Sequence, residues 1–257
     1  MSNKIFVLSK KCLFADHINL CLKESSLESE TNTTLPLSYE PSVAIINLLN
    51  YDEDIEKQCD EVLESDIKKV ILLENALDLY LNSKNDIPFS VYTKIIPKNK
   101  ICEKHLSIEK KIVESKKKYV IFRVSEIYGL STPYSLVDQL LFANDGVEFE
   151  NSTHDFIYDG DVISAIEVSL RKEVSGIFDI ASGCSIDLKD LVELIKKMRK
   201  IKELFINWKR KRKNIVFNCE NFKFYKWEPL VNIETGLQTL LSFRRKSHVK
   251  LFSSEHS

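Results

Sequence analysis

Glycine is scarce in this chain. It occurs six times in 257 residues, where average usage near 7% would give about 18. Sites that cradle a dinucleotide are built from glycine turns, so the shortage weighs against one. Long apolar runs are also missing. None approaches the roughly 18 residues of a membrane span, and Ile-Phe-Val-Leu behind Met-Ser-Asn-Lys is too short for a secretory core. The six cysteines (12, 21, 59, 102, 184 and 219) form no C-x-x-C pair and no cluster with histidine. That pattern points to free thiols in a reducing cytoplasm and argues against a metal site. An excess of either charge is absent too. With 37 basic and 38 acidic residues the formal charge is -1, which gives no global pull toward nucleic acid or membrane.

What is present is enough apolar material, 44% of the residues, for one α/β domain with a small lobe. Continuous apolar stretches recur at Lys4-Ile-Phe-Val-Leu8, Ser42-Val-Ala-Ile-Ile-Asn47, Lys69-Val-Ile-Leu-Leu73 and Tyr119-Val-Ile-Phe122. Between them lie segments with helical spacing at 14–24, 54–64 and about 97–114. Apolar strands alternating with helices predict a parallel sheet covered on both faces. Residues 25–38 are polar and thin, leaving the second strand either at 33–37 or absent. After Gly129 the spacing predicts helices at 135–143, 161–170 and 188–199 and a strand at 176–181, with Ser185 or Asp187 capping the helix at 188.

Two segments carry a resemblance: Arg123-Val-Ser-Glu-Ile-Tyr-Gly129 and His154-Asp-Phe-Ile-Tyr-Asp-Gly-Asp161. Together with Trp227-Glu-Pro229 and Ile233-Glu-Thr-Gly236-Leu237, they resemble the NAD-dependent epimerase/dehydratase family of extended short-chain dehydrogenases. The resemblance spans about residues 4–241. It implies a Rossmann-like, doubly wound parallel sheet over residues 1–130. Residues 131–257 would then supply a small C-terminal substrate lobe, interleaved with the last strands of the sheet.

The resemblance also implies where cofactor and catalysis should sit, and there the chain departs from the family pattern. The phosphate-loop glycines fall on Ser9, Cys12 and Ala15. Lys10 and Lys11 offer charge, but the Cys12 side chain stands where backbone should approach a pyrophosphate. The acid that would hold the adenosine ribose has no counterpart. The catalytic tyrosine and lysine fall on Ile101 and His105, and the partner serine or threonine on Glu74 and Asn75. A literal Tyr-x-x-x-Lys at Tyr80–Lys84 lies too early, so Tyr80 is expected to be non-catalytic. At the substrate end the amide-bearing residue is Glu126, and the diphosphate-contacting arginine is His154. Both changes weaken diphosphate binding, which is best served by cationic forks. Arg123 is expected in the scaffold, and Asp161 as a helix cap.

The resulting expectation is a catalytically degenerate nucleotide-sugar epimerase/dehydratase-like protein in surface-polysaccharide sugar metabolism. It would act as a binding or regulatory subunit, as a homodimer or beside a related active enzyme, with no tightly held cofactor and a nucleotide sugar as the possible ligand. The alternative is an active NAD- or NADP-dependent epimerase, dehydratase or reductase with a diverged site. One stretch lies outside the family pattern. Residues 196–213 hold ten Lys/Arg against one acid, a solvated face or a docking patch for an acidic partner, a phosphorylated ligand or an anionic surface.

Overall fold

The computed structural model describes residues 4–10, 12–32, 43–49, 54–80, 88–97, 99–143, 147–209 and 214–253, the last ten by backbone alone. The chain opens with β1 (Ile5–Leu8), α1 (Leu13–Glu24), β2 (Ser29–Asn32), β3 (Val43–Asn47) and α2 (Asp54–Glu64). Next come β4 (Lys69–Asn75), α3 (Ala76–Tyr80), α4 (Lys100–Glu114), β5 (Lys118–Val124) and β6 (Glu126–Tyr128). It continues through α5 (Leu136–Leu141), β7 (Val147–Glu150), β8 (Thr153–Tyr158), α6 (Asp159–Arg171) and β9 (Gly176–Ile180). Last are β10 (Ser185–Asp187), α7 (Leu188–Arg199), β11 (Ile206–Lys209), α8 (Glu220–Lys223) and α9 (Ile233–Ser253).

Among the described residues, six parallel strands form the central sheet in the order β2-β1-β3-β4-β5-β9. Strands that are apolar on both sides need cover on both sides, and they receive it. Phe14, Ile18 and Leu22 of α1 pack with Ile163 and Ile166 of α6 on one face. Ile55 and Val62 of α2 pack with Ile108 and Ile112 of α4 on the other. The fold is thus α/β and doubly wound.

The second strand lies earlier in the chain than the expected residues 33–37. Residues 33–37 lie outside the described residues, and the strand that pairs with β1 is Ser29–Asn32, within the polar stretch 25–38. An edge strand has one ladder partner and tolerates polar side chains; here buried Ser29 donates its hydroxyl to Asn19 Oδ1 at 2.6 Å. The chain crosses from β2 over β1 to β3, so the strand order reverses between β1 and β3. Ligands of open α/β sheets bind outside the carboxyl ends of strands at such a point.

A second core builds the small lobe from Tyr128, Leu140, Phe156, Leu191, Ile195 and Leu237. It sits on a sheet of order β10-β8-β6, with β11 and β7 paired beside it. Two glycines permit close approaches around this lobe. Gly129 has φ +153°, and a Cβ there would lie 2.1 Å from the Asp159 carboxyl carbon. At Gly236 a Cβ would lie 2.2 Å from the Tyr128 hydroxyl, so α9 approaches β6 only because that side chain is missing. Asp161 is not a cap. It lies inside α6, behind the N-cap Tyr158, and accepts the backbone N–H groups of Leu230 and Val231, each at 3.0 Å. The helix at 188 is capped by Asp187, which accepts from Lys189 N at 2.9 Å, and not by Ser185.

Candidate functional site

The turn from β1 to α1 places Ser9, Lys10 and Cys12 at the strand-order reversal. Instead of bare backbone, the turn presents side chains that hold one another. Asn47, the last residue of β3, donates from Nδ2 to Ser9 Oγ at 3.1 Å and lies 3.8 Å from Cys12 Sγ. Ser9 Oγ and Cys12 Sγ are 3.6 Å apart. Cys12 is the N-cap of α1 and makes no side-chain cap hydrogen bond. Ala15 is buried in the helix–sheet contact, and Lys11 lies outside the described residues. Asn47 was missed in the sequence, although an amide ending an apolar strand at this spot was a usable signal.

Ile101 and His105, the positions expected for an acid/base pair, separate in space. Ile101, 41% exposed, stands on the open side of the first turn of α4. His105 is fully buried on the opposite face, in the row Cys102, His105, Ile108, Glu109 and Ile112 that packs against the sheet. Below it, one rung of three adjacent strands carries Glu74, Arg123 and Asp179. Arg123 grips Glu109 through two 2.7 Å hydrogen bonds, Nε to Oε1 and Nη2 to Oε2. Its Nη1 donates to the Tyr80 hydroxyl at 2.7 Å, and that hydroxyl lies 3.0 Å from Asp179 Oδ1. His105 Nδ1 is 3.3 Å from Glu74 Oε2.

Burial dominates the protonation of this cluster. It lifts the Glu74 carboxyl well above its usual range, helped by the negative charge of Glu109. It lifts Asp179 to about 7 against the pull of Arg123, and it lowers His105 to about 4. For Glu109, burial is outweighed by hydrogen bonding from Glu74 and by Arg123, which leaves it ionised. Burial also raises the Tyr80 hydroxyl, the opposite of what a general acid/base near neutrality needs. Lys84 lies outside the described residues. Arg123 therefore belongs to the scaffold, and Asn75, next to Glu74, instead faces the cleft described next.

Between the carboxyl edge of the sheet and the small lobe runs a cleft of about 600 Å³, lined among others by Cys12, Phe14, Asn75, Ser125, Glu126 and Ser131. It continues into a recess of about 420 Å³ reached by Asp78, Asn99, Gln139 and His154. Glu126 and His154, read as substrate-end residues, meet there with His154 Nδ1 3.6 Å from Glu126 Oε2. His154 Nε2 is 2.7 Å from Ser152 Oγ, and the ring stacks on Phe156. At the other end His17 Nδ1 is 3.0 Å from Ser131 Oγ, which donates to buried Asp159 at 2.5 Å. Among the described residues lining cleft and recess there is no lysine or arginine.

The backbone is similar to that of several solved enzymes. The UDP-glucose 4-epimerase of Thermotoga maritima, solved with UDP-glucose, superposes with a TM-score of 0.79 at 17% identity, covering 95% of this chain and 99% of that one. The dTDP-glucose 4,6-dehydratase of Bacillus anthracis, solved with NAD, gives 0.78 at 16% identity over 95% and 96%. The fold is that of the nucleotide-sugar epimerases and dehydratases. An NADPH complex of RMD from Pseudomonas aeruginosa gives 0.72 at 15% identity over 93% and 98%. No family profile matches the sequence, and no curated protein matches it. Among the described residues no helix is long and apolar enough to cross a membrane, and no three His, Cys, Asp or Glu side chains gather as a metal site.

The basic stretch is partly neutralised where it is described. Lys196 pairs with Glu193 at 2.9 Å, and Lys209 with Glu148 at 2.6 Å. Residues 210–213 lie outside the described residues.

Proposed function

We propose that this chain is a catalytically silent relative of the nucleotide-sugar epimerases and dehydratases. In this reading it works by binding, as the regulatory partner of a related active enzyme in surface-polysaccharide sugar metabolism. One observation carries the proposal. The position of the catalytic lysine holds His105, sealed beneath α4 against Glu74, while the position of the tyrosine holds exposed Ile101. Neither group can exchange a proton with a substrate in the cleft.

The turn at Ser9–Cys12 supports the same reading. Its side chains and Asn47 take up one another's hydrogen bonds, so the residues present do not fit a dinucleotide pyrophosphate. Calorimetry with NAD(H) and NADP(H) should give dissociation constants in the millimolar range or weaker, and UDP-glucose should not turn over. The double variant Ile101→Tyr/His105→Lys should stay inactive, because it leaves the turn unchanged. Micromolar NAD affinity would overturn the proposal in favour of an active NAD- or NADP-dependent enzyme with a diverged site.

A further inference from the structure

Deep in the cleft, at the junction of β5 and β6, Ser125 is 2% exposed and its Oγ finds no hydrogen-bond partner among the described residues. An unpaired buried hydroxyl costs about 1–3 kcal/mol, and this one lines the 600 Å³ cleft. In the adjoining recess the His154 side chain is 6% exposed, and its Nδ1, 3.6 Å from Glu126 Oε2, makes no hydrogen bond among the described residues. Ser125 thus faces the cleft, and His154 the recess that continues from it.

Among the described residues lining that space there are carboxylates and no lysine or arginine. Glu126 and Asp78 both line the recess. The Asp78 carboxyl is raised by burial and then by the negative charge of Glu126, so the two carboxylates repel each other. A cation between them would relieve both. Phosphate would meet the opposite situation, two carboxylates and no described lysine or arginine. The remaining wall includes Asn75, Asn99 and Gln139 together with Leu77 and Tyr134; Asn75 Oδ1 and Asn99 Oδ1 accept backbone N–H groups and Gln139 Nε2 donates to Tyr134 O, so each amide turns its other polar atom to a ligand. That combination suits hydroxyl groups around an apolar ring face. The volume lies in the roughly 300–1,000 Å³ range of small-molecule sites.

We propose that the cleft binds a phosphate-free amino sugar, with its ammonium between Glu126 and Asp78 and its hydroxyls on Ser125 and the amides. This deepens the reading of the chain as a binding protein and rests on it. It also replaces the expected nucleotide sugar with a ligand of opposite charge.

The test uses the full chain and saturation-transfer NMR followed by calorimetry, with glucosamine, glucose, glucosamine 6-phosphate, putrescine, UDP-glucose and NAD as probes. Glucosamine should bind at least about tenfold more tightly than glucose or putrescine, and the phosphorylated sugar and UDP-glucose should bind least. Glu126→Gln and Asp78→Asn should each weaken glucosamine binding about tenfold, close to 1.4 kcal/mol, with Ser125→Ala weakening glucose and glucosamine alike. Melting temperatures of the variants serve as the control for folding. Equal affinity for glucose and glucosamine would overturn the proposal. So would putrescine matching glucosamine, tighter binding of UDP-glucose, no binding by any probe, or a well-folded Glu126→Gln variant that binds as before. Its failure is separable from that of catalytic silence. Absent glucosamine binding with absent NAD binding sinks the ligand alone, whereas micromolar NAD binding sinks the silent reading.

Discussion

Asp179 shows how a single residue can make stability depend on pH. Burial raises its carboxyl from 3.8 to about 7, so the folded protein holds a proton that the unfolded chain releases. A group with a raised folded value contributes stability that is complete below its unfolded value and is lost as pH rises through the folded one. The window therefore runs from about pH 4 to about 7. His105, lowered to about 4, works in the opposite sense and loses its contribution as pH falls from 6.5 toward 4. Asp179→Asn keeps the hydrogen-bonding shape without the ionisation. The urea midpoint of the native protein relative to that variant should fall between pH 4 and 7 and level off above. Parallel curves for the two proteins across that range would refute the assignment.

Elements with strong periodicity were legible in the sequence, and those that depend on a neighbour were not. The strands at 43, 69 and 118 and the helices at 13, 54, 100 and 188 announced themselves through apolar patterns that any parallel sheet requires. The edge strand at Ser29–Asn32 did not, because its burial comes from α1 and β1 rather than from its own side chains. The polar rung was half legible. Glu74, Arg123 and Asp179 each interrupt an apolar strand, which signals a buried partner, but only register reveals that they share one row. Ser125 and Asp78 gave no signal, since their meaning lies in the cleft that two distant segments enclose. The glycine motif before Leu237 has a clear mechanical basis in the approach of α9 to Tyr128. Gly236→Ala should therefore cost about 1–3 kcal/mol by overpacking and loosen α9 first. Limited proteolysis, with cleavage appearing in residues 233–253 before the sheet, would check it; unchanged resistance would contradict the contact.

At the scale of the whole molecule, the first 130 residues do not complete their own sheet. β5 has β4 on one side and gains β9 on the other only after the chain has built β6, β7, β8 and α6. α6 also supplies Val162, Ile163 and Ile166 to the core over α1. A fragment ending at Gly129 would leave one side of the Val120–Val124 ladder and that core face open, and it should be recovered as aggregate. A soluble, monomeric fragment with cooperative unfolding would show that the first region stands by itself. The same arrangement has a cost in time. Ribosomes add about 5–20 residues per second, so the fifty or so residues separating β5 from β9 take about 3–10 s to appear. For that interval every nascent copy carries a sticky, unclosed flank, and its survival depends on how crowded with like chains, or how well chaperoned, its surroundings are.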